Sequence, residues 1–415
     1  MIRRFLLLLA VLFAVVPAAA AQVRTGIDVL EDQQFAPLLK IAARHGGRLR
    51  LGILANPVSI DGQGRRTIDV LRNDARAAVP GLEVVRLFSG EHGIDATVDD
   101  YAIDDHKDRA SGLPIVSLYG AQEADKRPSA AQLAGLDAVV IDLQDVGVRY
   151  WTFQTLTKYF LQAAAAHGVE VILLDRPNPI TGVAVQGPVS TPGLEDYTTP
   201  HSEPMRPGMT LGELAGMFND EGRIGARLTV IRMTGWKRGD WYDDTGLLWV
   251  NPSPNLRSVT QAAAYAGTAL IEGTNVNIKG PADAPFLRFG APWIKGVELA
   301  AYLNGRAIAG VSFLAVAYVP AGDKYYPHIG RRVEGVEVIV HDRDALDAPA
   351  LGVEAVAALW KLYGTAFEID KVDRLLRNRA VFDRIKAGDD PRAIVAGWQP
   401  ELDRFKARRA RYLLY

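Results

Sequence analysis

The stretch AVVIDLQDVGVRYWTFQTLTKYFLQAAAAHGVEVILLDRPNP, residues 138–179, decides the fold. It begins with a short apolar strand pattern, Ala138–Leu143, and ends near a second one, Val169–Asp175. Between them, Trp151–Ala166 has the length and apolar spacing of a helix. A buried strand, a helix and another buried strand in this order are typical of a parallel sheet with helices on both faces.

The same alternation continues on both sides of this unit. Helices are predicted at Arg65–Val79 and Thr210–Asn219, and Thr210 with Glu213 forms a capping box at the start of the second helix. Further strands are predicted at Leu49–Ala55, Leu82–Phe88, Pro114–Leu118 and Leu228–Met233. The fold class is therefore predicted to be α/β, with a Rossmann-like, mostly parallel sheet.

The pattern changes after Gly246. Trp249–Asn255 contains two prolines within three residues, which excludes regular structure there. The segments that follow are predicted as strands at Phe313–Val319 and Val333–His341 and helices at Glu354–Tyr363 and Pro400–Arg411. We expect a domain boundary near Arg257, with a smaller α+β domain after it.

The N-terminal stretch resembles a secretory signal peptide. Arg3 and Arg4 precede the apolar run Phe5–Val16, and the small residues Ala18–Ala21 offer a cleavage site before Gln22. The run is too short to cross a bilayer as a helix, and a chain without cysteine has no lipoprotein anchor. We therefore expect residues 1–21 to be removed, leaving an exported, periplasmic or secreted chain without a membrane span.

Composition excludes several classes of protein. Lys and Arg number 47 against 48 Asp and Glu, which is not the basic surplus of a nucleic-acid-binding protein. The absence of cysteine excludes disulfides, thiolate metal sites and a cysteine nucleophile. No GxSxG, phosphate-loop or GxGxxG motif is present, so the parallel sheet does not indicate nucleotide binding, and no cofactor is expected.

Charged and polar residues follow three of the predicted strands at the points where those strands end. Ligands of open parallel sheets bind outside the carboxyl ends of the strands, so these residues predict a polar cleft. They are Glu91 and His92, then Asp142, Asp145, Arg149 and Tyr150, and finally Asp175, Arg176 and Asn178.

Each group also has a structural interpretation. Glu91 and His92 lie between two glycines, as in a tight turn. The aspartates after Ala138–Leu143 could cap the next helix or pair with Arg149, and Asp175-Arg176 could form a buried ion pair. A metal site would draw on Glu91, His92 and the nearby Asp99, Asp100 or Asp104, but no regular ligand spacing supports it.

Several segments resemble the bacterial exo-β-N-acetylmuramidases, a family long catalogued as a domain of unknown function. The segments occur in the family's order and extend over nearly all of the chain after residue 21. They are Gly52–Pro57, Gly90–Gly93, Gly112–Gly120, Asp142–Tyr150, Asp175–Pro179, Pro252–Asn255, Glu272–Asn275, Gly290–Trp293 and Tyr412–Tyr415.

The resemblance implies a Rossmann-like catalytic domain at residues 22–257 and a smaller domain at 258–415 that closes the cleft. It also implies release of N-acetylmuramic acid from the non-reducing end of peptidoglycan fragments. Glu91 would then be the general acid/base, assisted by His92. Glu272 or Asp142 would be the second catalytic group, unless the substrate's 2-acetamido group acts as internal nucleophile.

N-Acetylmuramic acid carries a lactyl carboxylate, which an arginine can bind with two parallel hydrogen bonds. The resemblance therefore suggests a substrate-binding set around that carboxylate, the sugar hydroxyls and the ring faces. The set comprises Asp145, Arg149, Tyr150, Asp175, Arg176, Asn178, Asn275 and Lys279, with Trp151 and Trp293 as further aromatic platforms.

The chain departs from the family pattern in three loops. Asn277–Ala282 stands where relatives have Ser-x-Gly-Arg-Gly-Thr, Asp95-Ala96 where they have Arg-Gly, and Pro207 where they have a histidine. Lys279 restores the charge of the lost arginine but not its fork of donors. These losses motivate one rival function, a non-catalytic muropeptide-binding protein. A metal-dependent cell-wall hydrolase built on Glu91 and His92 is another.

Overall fold

The computed structural model describes residues 22–97, 102–280 and 283–415. The predicted signal peptide, Asp99 and Asp100 lie outside these residues. In chain order the strands are β1 (Leu49–Ala55), β2 (Leu82–Ser89), β3 (His106–Lys107), β4 (Pro114–Ser117), β5 (Ala138–Asp142), β6 (Glu170–Leu174), β7 (Gln186–Val189), β8 (Pro204–Arg206), β9 (Leu228–Ile231), β10 (Arg288–Ala291), β11 (Val311–Tyr318) and β12 (Val333–Val340).

The main sheet has seven strands in the order β3-β4-β2-β1-β5-β6-β9. Every neighbouring pair is parallel except β3 with β4, which is antiparallel. The six strands predicted for this part of the chain are confirmed to within two residues at each end. The edge strand β3 was not predicted, because two exposed polar residues carry no apolar pattern.

Helices surround the sheet and join it to the second part of the chain. The predicted capping box of Thr210 and Glu213 is confirmed, with Thr210 N donating to Glu213 Oε2 at 3.0 Å. The helices are α1 (Gly26–Asp32), α2 (Ala36–Arg44), α3 (Thr67–Val70), α4 (Arg76–Ala78), α5 (Ala130–Leu133), α6 (Thr152–His167), α7 (Leu211–Glu221), α8 (Val259–Thr268), α9 (Gly296–Gly305), α10 (Ala348–Tyr363), α11 (Asp373–Leu376), α12 (Arg379–Ala387), α13 (Pro391–Gly397) and α14 (Gln399–Arg409).

The predicted helix Arg65–Val79 is only partly α-helical, because a π-helical turn at Leu71–Ala75 separates α3 from α4. The predicted helices at Trp151–Ala166 and Thr210–Asn219 correspond to α6 and α7.

Alternation along the strands divides the core into two layers. Val139 and Ile141 of β5 belong to the cluster that contains α6 and α7, whereas Ala138 and Val140 belong to the cluster that contains α1 and α2. A strand with period-two geometry sends successive side chains to opposite faces, so both faces of the sheet are buried. The carboxyl ends of the strands remain as the edge where a site can form.

The second part of the chain is the smaller α+β unit that the sequence predicts. Its antiparallel sheet has the order β10-β12-β11; α9 packs on this sheet, and α10 packs against α8 and α9. The hydrophobic core runs from the α6 side of the main sheet into this unit without a break. The domain boundary near Arg257 stays a prediction. Among the described helices, none combines the length and apolar character that a membrane crossing requires.

Candidate active site

Glu91 lies at the carboxyl end of β2, in the turn Gly90–Gly93. Tyr119 donates its hydroxyl to Glu91 Oε1 at 2.9 Å, and Thr152 donates its hydroxyl to Oε2 at 2.7 Å. Tyr119 follows β4, and Thr152 is the first residue of α6, which comes after β5. The carboxylate is therefore held by groups from the ends of two further strands, as expected for parallel strands that end at one edge.

His92 gives this turn its shape. Its φ angle is +70° and that of Gly93 is +76°, so two successive residues occupy the left-handed region. Gly93 N donates to Gly90 O at 3.1 Å and closes the turn. His92 lines a narrow space of about 50 Å³ together with Glu91, Ser253 and Glu272. The sequence motif thus places Glu91 and His92 beside one another in the cleft.

Glu272 enters the cleft from the second part of the chain. It follows α8 and the short 3₁₀ turn Ala269–Ile271. Lys279 Nζ lies 3.2 Å from Glu272 Oε1, and the same ammonium lies 5.1 Å from the ring centre of Tyr326. Lys279 therefore balances the charge of Glu272 and is held against an aromatic face.

Glu91 and Glu272 face the same space. Two adjoining cavities of about 370 and 280 Å³ are lined by both carboxylates, by Tyr119 and by Arg374. Volumes of this size are typical of small-ligand sites, which run from about 300 to 1,000 Å³. The arrangement is an open cleft with two acids from different parts of the chain.

Four tyrosines form much of the cleft wall. Tyr119, Tyr150, Tyr197 and Tyr265 line the wider cavity. Burial raises the pKa of Tyr197 and Tyr265 well above their usual value, and it also raises the pKa of Tyr150. These phenols therefore stay neutral, so they can form hydrogen bonds and offer ring faces but carry no charge.

Asp142 and Arg176 lie outside the cleft, contrary to the expectation from sequence. Arg176 donates from Nε to Asp142 Oδ1 at 2.5 Å and from Nη2 to Asp142 Oδ2 at 2.9 Å, and both side chains are buried. Thr67 also donates to this carboxylate, at 2.5 Å. A buried charge must be paired, and here the two groups satisfy each other. Their placement corrects the assignment of Asp142 to catalysis and of Arg176 to substrate binding.

Arg149 is also a structural group. It is 0% exposed, and Nη1 donates to Pro188 O at 3.2 Å and Glu203 O at 3.0 Å. Nη2 donates to Leu375 O at 2.7 Å and Leu376 O at 2.9 Å. The guanidinium is thus committed to backbone carbonyls and connects the β7–β8 hairpin to α11. It does not reach a substrate carboxylate, which corrects that expectation.

The remaining predicted binding residues divide between the cleft wall and loop contacts elsewhere in the fold. Tyr150 and Lys279 both line the cleft. Asp145, Asp175, Asn178 and Asn275 instead hold the chain's own loops, by accepting from Gly147 N, Gly212 N, Ile180 N and Glu368 N respectively. Asp145, Asp175 and Asn178 are buried, which corrects the expectation that they contact substrate. Asn275 is half-buried, and its contact with substrate stays a prediction.

The two tryptophans proposed as sugar platforms also separate. Trp151 reaches the narrow end of the cleft but is 7% exposed and packs edge-on against Tyr265. Trp293 packs against Tyr363, with ring centres 5.4 Å apart, and does not line the cleft cavities.

Several residues that line the cleft were not predicted from the sequence. Tyr119 lies within the quoted segment Gly112–Gly120, so a signal for it was present. Thr152 and Tyr197 have no motif of their own, and Arg374 belongs to a four-residue helix far along the chain. No three His, Asp or Glu side chains converge as a metal site in the described ranges, which do not include Asp99 and Asp100.

Comparison with known proteins finds a matching family over nearly the whole chain. Residues 51–260 match the family "Exo-beta-N-acetylmuramidase NamZ, N-terminal", and residues 263–415 match its C-terminal counterpart. A Bacillus subtilis protein named peptidoglycan β-N-acetylmuramidase NamZ is 34% identical over 403 residues, covering 96% of this chain and 92% of the relative.

Two crystal structures of DUF1343 family proteins from Bacteroides fragilis share the fold. One has a TM-score of 0.83 at 28% identity and covers 96% of this chain and 100% of the other. The second has a TM-score of 0.74 at 25% identity and covers 95% and 99%. Both family matches and the Bacillus relative agree with the resemblance seen in the sequence. The chain belongs to the exo-β-N-acetylmuramidase NamZ family.

Proposed function

We propose that this protein is an exo-acting glycoside hydrolase that releases N-acetylmuramic acid from the non-reducing end of peptidoglycan fragments. The observation that carries the proposal is that, in a chain of this family, Glu91 and Glu272 line the same cavities from two different parts of the fold. Hydrolysis of a glycosidic bond commonly uses two carboxyl groups on either side of the bond.

Glu91 is the general acid/base in this proposal. An acid/base must be stable in both protonation states, and hydroxyl groups can either donate or accept. The hydroxyls of Tyr119 and Thr152 donate to the ionised carboxylate, and either one can turn to accept once Glu91 carries a proton. The two contacts thus fix the carboxyl group without fixing its charge.

Glu272 is the second group, and it stabilises the positive charge that develops on the sugar ring. Its ion pair with Lys279 holds the carboxylate in the cleft. The alternative for this role is the substrate's 2-acetamido group, in which case Glu272 would orient that group. His92, at the narrow end of the cleft, assists Glu91.

The protein is proposed to act outside the cytoplasm, on fragments of the cell wall. The support is the sequence of residues 1–21, with its basic start, apolar run and small residues before Gln22. Sequencing the N-terminus of protein recovered from the periplasm or medium should give Gln22. A chain that stays in the cytoplasm and begins at Met1 would contradict the proposal.

Chromophore release from a nitrophenyl β-N-acetylmuramide tests the activity, with the matching glucosaminide and an EDTA-treated sample in parallel. The Glu91→Gln variant should lose at least about 100-fold in kcat, since general acid–base catalysis contributes about 10²–10⁴. Glu83→Gln is the matched control, because Glu83 lies on β2, the strand that leads to Glu91, and its side chain is 64% exposed. It should retain the wild-type rate.

Each outcome selects one function. Release from the muramide that persists in EDTA and disappears in Glu91→Gln supports the proposed hydrolase. Release that EDTA abolishes would instead favour a metal-dependent hydrolase. Muropeptide binding without release, measured calorimetrically, would favour the non-catalytic binding protein.

A further inference from the structure

Arg374 places an arginine guanidinium in the cleft. It belongs to α11 and lines both of the larger cavities together with Glu91 and Glu272. Its Nη1 lies 3.6 Å from where a Cβ on Gly273 would be, so the guanidinium lies over the turn that follows Glu272. The arginine and the two acids therefore line the same open cleft.

The charges around the cleft distinguish Arg374 from its neighbours. Lys279 forms an ion pair with Glu272, and Lys126 lies 4.8 Å from the ring centre of Tyr197. Arg374 has no carboxylate within 4.0 Å among the residues of the described ranges, and the residue is exposed to solvent. An arginine in this state is available to bind an anionic group of a ligand.

The backbone that carries Arg374 is held in place. Arg149 donates to the carbonyls of Leu375 and Leu376, the two residues that follow Arg374. Thr198 Oγ1 donates to Arg374 O at 3.4 Å, and Asn378 Nδ2 donates to Val189 O at 2.7 Å just beyond α11. A side chain on a fixed backbone loses less freedom when it binds, which favours specific recognition.

We propose that Arg374 binds the lactyl carboxylate of the terminal N-acetylmuramic acid and thereby sets the preference for muramides over glucosaminides. The inference rests on the proposed function, because the lactyl carboxylate is the group that distinguishes the two sugars. The planar guanidinium can form two parallel hydrogen bonds with a carboxylate. The sequence predicted that Arg149 binds this carboxylate. In the structure, Arg149 is instead a positioning residue for α11.

The kinetic test compares Arg374→Ala with wild type on nitrophenyl β-N-acetylmuramide, on its lactyl methyl ester and on the glucosaminide. Loss of a charge-assisted contact should lower kcat/KM on the muramide by about 10- to 100-fold. With the wild-type enzyme, kcat/KM on the methyl ester should already be lower than on the muramide by this factor. The Arg374→Ala substitution should lower kcat/KM on the ester only slightly further. The glucosaminide rate should change by less than about 3-fold if the contact is confined to the lactyl group.

A binding test keeps the inference independent of turnover. In the Glu91→Gln background, calorimetry with N-acetylmuramic acid and N-acetylglucosamine should show that Arg374→Ala weakens the first by about 10-fold or more and leaves the second unchanged. Arg374→Lys should restore part of the affinity, because the charge remains but the fork is lost. Arg404→Ala on α14, whose side chain is 70% exposed, is the control and should match the parent.

Two results would overturn the inference. Equal losses for both sugars in Arg374→Ala would mean that the arginine supports the cleft without reading the lactyl group. The preference for the muramide over the glucosaminide could instead remain in Arg374→Ala and disappear in Lys126→Ala. That result would mean that Lys126 binds the lactyl carboxylate. Failure of the wild type to release any chromophore would refute the proposed hydrolase, while the calorimetric comparison would still decide the role of Arg374.

Discussion

Asp145 allows a stability prediction with a definite pH dependence. The carboxyl is 4% exposed, and its Oδ1 accepts from Gly147 N at 2.6 Å and from Gln154 Nε2 at 3.2 Å. Its Oδ2 is buried and accepts no hydrogen bond from any described residue. Burial, the largest cause, raises the pKa of Asp145 from 3.8 to about 7, and the nearby negative charge of Asp175 adds to the increase.

The sign and size of the effect follow from proton linkage. The folded chain holds the Asp145 proton more tightly than the unfolded chain, so this group favours folding below pH 3.8 and loses that contribution as the pH rises to about 7. At ~1.4 kcal/mol for each pH unit, the loss amounts to about 4 kcal/mol. Asp145→Asn removes the titrating group and should flatten this part of the stability profile.

The assay is urea unfolding of wild type and Asp145→Asn at pH 4.5 and at pH 8. The free energy of unfolding of the variant, relative to wild type, should be higher at pH 8 than at pH 4.5 by about 3 kcal/mol, because about 1 kcal/mol of the effect is already lost at pH 4.5. Other titrating groups cancel in this comparison, apart from the neighbouring Glu203 and Asp175, which interact with Asp145. A difference between the two proteins that does not change with pH would refute the reasoning.

Two further stability predictions concern close contacts between distant parts of the chain. A Cβ on Gly267 of α8 would lie 1.7 Å from the backbone oxygen of Ala348 in α10. Gly267→Ala should therefore lower the free energy of unfolding in urea by about 3 kcal/mol or more. Gly216→Ala in α7, where no atom lies within 4 Å of the added Cβ, is the control and should be neutral or stabilising by about 0.5–1 kcal/mol. The Tyr415 hydroxyl donates to Asp175 Oδ2 at 2.8 Å and accepts from Met233 N at 2.9 Å. Tyr415→Phe should therefore lose about 1–3 kcal/mol, whereas Tyr412→Phe at the surface should lose less than about 1 kcal/mol, and equal losses would contradict the assignment.

The sequence predicted that Glu91 and His92 lie at the edge where the strands end, and both line a cavity there. Glu91 and His92 follow β2, and parallel strands bring their carboxyl ends to one edge whatever the rest of the chain does. The same reasoning failed for Asp142, Arg149 and Arg176, which also follow strands. Charge at a strand end indicates either a site or a buried pair, and sequence alone does not separate the two. The difference depends on what covers each side chain.

The covering elements come from distant parts of the chain. The β7–β8 hairpin and α11 enclose Arg149, whose donors are taken up by their backbone carbonyls. Arg374 is brought to the cleft by that same packing, although no local pattern in its four-residue helix marks it. Its position depends on the hydrogen bonds of Arg149 to the next two residues, which are more than two hundred positions away in the sequence.

Local sequence thus determined the parallel sheet, most of its strand limits, the capped helix α7 and the acidic turn at Glu91. These features depend on side-chain periodicity, turn residues and strand direction, which are encoded within short segments. Tertiary structure alone decided which charged residues became buried pairs and brought Arg374 to the cleft that holds Glu91 and Glu272. Burial and pairing depend on the elements that pack over a side chain, and those elements lie far away in the sequence.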